Sequence, residues 1–449
     1  MLFQKKEKVQ EWMLQQLGSS EDVAFKKMQS KENVIHLLYI KSLCDDKKLY
    51  ENIIEPFYKS GEKEFENYLD SLPDKKEYKN REETLREIMF GSVVIFTKNF
   101  IYILELPKVV NNTVAEATVE TVIQGPLNAL TESLTTNLNL IRTRYPQPSL
   151  RVVNTKIGKL SKTTVAVVYD NNIAKKELVK KVEEDLSKLN VDILQSAGQL
   201  QKLITKRKRS LFPTLMVTER PDRIVFNLAQ GKVLLLIDGT PFTLLAPAVF
   251  YDFMSSMEET YQSYWVGKFI VILRYIGLFI STLLPGFYVG VTAYNPELFR
   301  VQLALSIAGS RIGVPYPAYL EVFLMLLMME LLTEASIRLP NSIGSTATTV
   351  GGLILGQAAV EAGLVSNVMI IIVAAVAISN FVIPINAMTF AMRVTKYIFL
   401  LLSIFFGMVG LTIGWIGLIT YLANLSSYGQ PFLRIFLLPE GFKKEVDPH

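Results

Sequence analysis

Apolar and polar positions divide this chain into two unlike halves. Residues 1–212 set short apolar runs among many Lys, Glu, Asp and Asn, whereas residues 241–425 are dominated by Leu, Ile, Val, Phe, Ala and Gly. Before residue 80 the pattern is mostly helical: Ile53, Ile54 and Phe57 are followed by Phe65, Tyr68, Leu69 and Leu72 at helical spacing. The run through Val34, Ile35, Leu37, Leu38 and Ile40 fits helix or strand equally. Two β-rich runs, 91–96 and 100–104, flank Thr97-Lys98-Asn99 and predict a hairpin. An amphipathic helix is expected over 128–144, closed by Pro146 and Pro148.

Next come expected strands at 150–157 and 163–169. A helix at 174–189 follows, with Leu178, Val179, Val182, Leu186 and Leu189 on one face. A short strand at 191–194 and a helix at 196–204 complete a β-β-α-β-α order, which predicts a small α/β layer structure. After Pro213 the pattern gives a helix ending near Gln230 and a buried strand at 232–237, closed by Asp238-Gly239-Thr240-Pro241.

The second half is written for lipid. Residues 242–253 are apolar but fall short of the roughly 20 a spanning helix needs, so a re-entrant and an interfacial placement are both open. A clear span follows at 269–293, with Arg274 near one end and Pro285-Gly286 inside. Residues 319–339 form an apolar but charged segment, and 343–363 a stretch of small residues. Two more spans are read at 365–383 and 398–425, the last carrying Gly407, Gly410, Gly414 and Gly417. No internal repeat of 20–50 residues and no inverted repeat is visible, which argues against a secondary transporter.

The expected fold class is an α/β soluble N-terminal region of two small subdomains followed by an α-helical integral membrane domain. The divisions are 1–145 and 146–212 for the two subdomains, then 213–268 for a linker with a membrane-proximal strand and a short apolar segment. Residues 269–425 form the polytopic membrane domain and 426–449 a tail.

Charge sharpens this picture. Only 15 of the 89 Asp, Glu, Lys and Arg residues fall within 241–425. Lys206-Arg207-Lys208-Arg209 stands just before the membrane part; it reads as a solvated helix end or as a contact with anionic headgroups marking the cytoplasmic side. Cys44 is alone, so no intrachain disulfide is possible, which suits a reducing compartment. The N-terminus shows no apolar core of a signal peptide, so the soluble region is expected in the cytoplasm. The histidines are His36 and His449, and no zinc cluster, phosphate loop or dinucleotide fingerprint is present. No catalytic, metal or cofactor site is expected, and no nucleic-acid partner. Thr131-Glu132-Ser133 and Thr218-Glu219-Arg220 read as helix caps and loop hydrogen bonds rather than as catalytic clusters.

The charged segment holds Glu321, Glu330, Glu334 and Arg338. A charge at mid-bilayer costs about 3 kcal/mol on insertion scales, so such residues face water, a partner or an ion path. On a helix Glu330, Glu334 and Arg338 share one stripe, which Leu327 and Phe323 extend, while Glu321 faces the opposite way. One reading is a buried Glu334–Arg338 pair, which leaves Glu330 unexplained. The other is a helix that lines a water-filled path in a multi-copy assembly, where acidic rings attract cations and Leu327 with Phe323 forms an apolar constriction. On the second reading Phe323, Leu327, Glu330, Glu334 and Arg338 line the pore. Gly352 and Gly356 allow close helix approach, and Glu361 lies near the edge of its segment.

Several stretches together resemble the GerA-type spore germinant receptor A subunit. They are Thr218-Glu219-Arg220-Pro221-Asp222-Arg223, Leu236-Ile237-Asp238-Gly239-Thr240-Pro241-Phe242, Arg274-Tyr275-Ile276 and Leu283-Leu284-Pro285-Gly286-Phe287-Tyr288-Val289. The likeness continues through Ser310-Arg311-Ile312-Gly313-Val314-Pro315-Tyr316-Pro317, Arg338-Leu339-Pro340 and 356–366, with Gln124-Gly125-Pro126, Thr131-Glu132-Ser133 and Thr136-Asn137-Leu138 in the soluble part. It implies a protein of the spore inner membrane with a cytoplasmic N-terminal region in two α/β subdomains. It also implies a transporter-like B subunit that recognises the nutrient, a lipoprotein C subunit, and a homo-oligomeric, pentameric A-subunit channel that releases monovalent cations. Two departures stand out: Thr333 replaces the family's usual Arg, and Leu127-Asn128 stand where charges are common. A non-conducting scaffold or signal-transducing subunit, and a sister channel that amplifies germination, are the alternatives.

Overall fold

The computed structural model describes residues 2–30, 33–109, 116–205, 210–338 and 341–434; the basic cluster 206–209 and the tail beyond Arg434 lie outside them. The first sheet is antiparallel, in the order β1 (Val23–Gln29), β2 (Val34–Ile40), β4 (Ser92–Phe96), β5 (Ile101–Glu105), β3 (Lys75–Lys76). The run at Val34 resolves to strand because both its faces are covered. Ile35, Leu37 and Tyr39 meet Leu49, Ile53, Phe57 and Phe65 from α2 (Asp46–Leu49), a π-turn (Tyr50–Ile54), α3 (Glu55–Lys59) and α4 (Glu62–Ser71). Leu38 and Ile40 meet Met13, Leu17 and Ile88 from α1 (Leu2–Leu17) and α5 (Arg81–Met89). Alternate side chains leave opposite faces of a strand, so a doubly covered strand reads as one continuous apolar run. The expected hairpin forms with Phe96 opposite Ile101. β1 replaces helix in the expected helical stretch; it is an edge strand whose Lys26 and Lys27 face solvent and blur its period.

The second sheet orders β6 (Leu150–Ile157), β7 (Thr163–Asp170), β9 (Val233–Ile237), β10 (Thr243–Ala246), β8 (Met216–Thr218), again antiparallel throughout. One face carries α7 (Lys176–Ser187) and α8 (Ala197–Ile204). The other carries α6 (Leu134–Arg144), α9 (Pro221–Ala229) and α10 (Phe250–Met254). The expected linker 213–268 therefore supplies three of the five strands, and the division at residue 212 runs through the sheet. The short apolar segment 242–253 forms β10 and α10 rather than a re-entrant segment: Leu244, Leu245 and Phe253 are buried in this domain. A central strand is as apolar as a membrane segment, and only its length tells them apart. The short strand expected at 191–194 is a loop, held where Thr163 Oγ1 donates to the Leu194 carbonyl at 2.6 Å.

The helical layer begins with α11 (Glu258–Tyr261) and α12 (Tyr264–Ala293), then a turn at Pro296–Leu298, α13 (Val301–Ser310), α14 (Ala318–Arg338), α15 (Asn341–Glu361), α16 (Asn367–Val382) and α17 (Asn386–Ala423). Among the described residues α12 and α17 are long and apolar enough to cross a membrane. α17 is not one rod. At Gly407 the backbone takes φ 59° and ψ −141°, and the chain doubles back. A Cβ on Gly414 would lie 2.8 Å from Phe399 Cδ1. Along a straight helix those two residues would sit about 22 Å apart. The returning arm brings Leu422 and Leu425 into the same core as Leu278, Met388, Leu234 and Phe253, so the second sheet and the helical layer share one interior. A hairpin of β11 (Ser426–Ser427) and β12 (Gln430–Pro431) then docks on the soluble side, where Ser427 Oγ donates to the Thr214 carbonyl at 2.5 Å and Phe432 packs on Phe250.

Candidate functional site

α14 carries the expected stripe, and the structure divides it. Phe323 and Leu327 project from the helix at 43% and 40% exposure. Glu334 and Arg338 lie exposed one turn apart and pair at 2.9 Å. Glu330 turns inward to α17, where its Oε2 accepts from Arg393 Nε at 2.8 Å and its Oε1 from Lys396 Nζ at 3.0 Å. The pairing accounts for a carboxylate that the Glu334–Arg338 pair alone leaves unexplained. It also holds α14 against the first arm of α17. Removing water from three charges is costly, and mutual hydrogen bonding offsets it.

Glu321 faces the other way and is buried against the loop before α16. Its Oε1 accepts from both the backbone N–H and the hydroxyl of Ser366, each at 2.6 Å, and its Oε2 lies 3.3 Å from Arg311 Nε. Ser366 also caps α16 by accepting from Met369 N. A carboxylate at a helix N-terminus is favoured by the exposed amides there. Two stretches of the GerA-like pattern thus meet at one point, 310–317 through Arg311 and 356–366 through Ser366.

Arg393, Lys396 and Arg311 are the partners that sequence reasoning missed. The signal was present: Arg393 and Lys396 stand three residues apart in an otherwise apolar helix, on one face, as complements to an acidic stripe.

The second polar constellation is Glu219-Arg220-Pro221-Asp222-Arg223, buried under the loop 116–130. Glu219 Oε1 accepts from Val119 N at 2.6 Å and Glu120 N at 3.2 Å. Arg220 pairs with Asp222 at 2.7 Å and donates to the carbonyls of Glu120 and Pro126. Arg223 pairs with Glu120 at 2.9 Å and donates to the carbonyls of Asp252 and Ser255. The Tyr261 hydroxyl donates to Asp222 at 2.8 Å, and its ring lies where a Cβ on Gly125 would be, at a φ of +120° that favours glycine. Burial pushes the Glu259 carboxyl above its usual range, opposed by its bond to Arg274 on α12. Burial likewise lowers Lys232, opposed by Asp252 at 2.7 Å. These contacts lock the loop 116–130, α10 and α11 to the root of α12. Ser133 caps α6, which matches the capping role expected for the other motif.

Residues 11–444 match the family described as Bacillus/Clostridium GerA spore germination protein. This chain belongs to the GerA family. It is 34% identical over 430 residues to Spore germination protein KA of Bacillus subtilis (strain 168), covering 93% of this chain and 79% of that protein. It is 33% identical over 437 residues to Spore germination protein A1 of the same organism, covering 96% and 89%. Among solved structures it is similar to the N-terminal domain of the A subunit of the Bacillus megaterium spore germinant receptor GerK3, with TM-score 0.41 and 25% identity over 54% of this chain and 94% of that one. In this GerA-family chain the two-sheet α/β region comes first and the apolar helices follow.

Proposed function

We propose that this chain is the A subunit of a nutrient-responsive spore germination receptor, and that five copies enclose a cation-permeable channel in the spore inner membrane. Its partners on this reading are a transporter-like B subunit, a lipoprotein C subunit and copies of itself, with the N-terminal region in the cytoplasm. The observation that carries the channel is the outer face of α14. Phe323, Leu327, Glu334 and Arg338 lie on it without burial in the chain, and an exposed ion pair in a helical membrane layer calls for water or a neighbouring chain. Around an axis, Glu334 biases the path toward cations, and Leu327 with Phe323 closes it by dewetting. A signal from the B subunit opens it by binding the open arrangement better.

The test is ion flux through the reconstituted receptor. Glu334→Gln should lower cation conductance and selectivity, and Leu327→Ala should leak without nutrient. Unchanged conductance in the first and a tight channel in the second would remove the assignment. The pairing of Glu330 with Arg393 and Lys396 favours a second reading, a non-conducting subunit that transmits the signal through packed helices. On that reading Glu330→Gln alters assembly alone, and images of the purified receptor show no axial hole.

A further inference from the structure

We infer that the cavity between α14, α16 and α17 is a binding site for a phosphate-bearing anion, the headgroup of an anionic phospholipid. The inference goes beyond the channel reading and holds whether or not the chain conducts. The cavity measures about 310 Å³ and is bordered by Glu330, Arg393 and Lys396. That is the liquid volume of about ten waters, ample for a phosphate group.

Charge count points to the ligand. Two cations share one carboxylate, so the cluster carries a surplus of one positive charge. Lys396 is only 2% exposed, and both oxygens of Glu330 are already engaged. An unbalanced charge in a helical membrane layer is costly, so a counter-anion is strongly favoured there. A guanidinium beside an ammonium is suited to a phosphate, and the amides of Asn380 and Asn386 line the same space. The lining decides the source. Phe381 and Phe390 line the cavity and are 80% and 50% exposed, which suits acyl chains rather than bulk water.

The experiment titrates the full-length chain in neutral detergent with phosphatidylglycerol, phosphatidylcholine or inorganic phosphate. Unfolding temperature and lipid retained in native mass spectra are followed. Phosphatidylglycerol should stabilise saturably and phosphatidylcholine should not. Arg393→Gln should weaken the apparent affinity about tenfold, the loss of one charge-assisted contact. Glu330→Gln removes the competing acid and should tighten it about tenfold, an effect that damage to the fold would not produce. Stabilisation by inorganic phosphate as strong as by the lipid would keep the site and assign it to the free ion. The proposal is overturned if neither phosphate source stabilises the chain, or if Glu330→Gln leaves affinity unchanged or weaker. It is equally overturned if stability depends only on protein concentration, which would make a neighbouring copy's carboxylate the counter-ion.

Discussion

Tyr294, the residue that closes α12, lies across Gly407, the residue at which α17 reverses. A Cβ at Gly407 would sit 2.8 Å from Tyr294 Cγ, and the Tyr294 hydroxyl donates to the Ile404 carbonyl. The bend needs a backbone region that glycine alone occupies freely, so Gly407→Ala meets both strain and a clash. It should lower stability by about 2–3 kcal/mol. Fluorescence of Trp415, whose ring lies 5.0 Å from that of Phe279, reports unfolding of this region in detergent. An unshifted transition would mean that α17 does not bend there.

Tyr261 gives a pH signature for the junction between the soluble region and α12. Burial, helped by the bond to Asp222, pushes its hydroxyl from 10.0 up to about 12. The folded chain then keeps this proton where the unfolded chain releases it. The resulting stability is full below pH 10 and is lost as pH rises toward about 12. Tyr261→Phe should be less stable by about 1 kcal/mol at neutral pH. Its deficit against the parent should shrink through that window. A deficit constant from pH 8 to 12 would show that the hydroxyl does not hold its proton against Asp222.

Ser366→Ala tests the buried end of α14. The hydroxyl both caps α16 and donates to Glu321, so its loss should cost about 1–2 kcal/mol in thermal unfolding. No change would mean that the Ser366 backbone N–H alone satisfies Glu321.

Much of this fold is legible along the chain where one period dominates. The hairpin at Ser92–Glu105, the amphipathic α7 and the span at α12 follow from alternation, a one-sided apolar face and apolar length, whereas α16, read as a span, has 16 residues and falls short of one. What escaped was long-range. β8 to β10 join a sheet begun more than 50 residues earlier, and nothing local in Val233–Ile237 says which strand it pairs with. The stripe on α14 was visible, but its partners were not, because Arg393 is 63 positions away from Glu330. Along the chain Gly407 is one of four glycines in its expected span. The backbone angles at Gly407 and the approach of Phe399 to Gly414 distinguish a reversal from ordinary close packing.

The two sheets are joined by a buried charge pair that can be dissected. Arg142 on α6 reaches Asp22, just before β1, with Nε at 2.6 Å from Oδ2. Asp22 also accepts from the backbone N–H and hydroxyl of Ser42. Arg142→Met removes the only cation paired with Asp22 among the described residues and leaves its charge in a dry interface. The expected loss is about 3–5 kcal/mol. Adding Asp22→Asn removes the stranded charge while the amide keeps a carbonyl oxygen for Ser42. The double variant should therefore recover most of the loss, a coupling that distant, independent sites do not show. Urea unfolding of the full chain, followed at Trp12, whose ring the Arg81 guanidinium covers at 4.6 Å, reads the first sheet directly. If the two losses simply add, the pair is not what joins the sheets, and the other links between them, such as the Asn139 amide bonded to the Ser42 carbonyl at 2.8 Å and Val152 N bonded to Ser20 Oγ at 3.1 Å, are the ones to test.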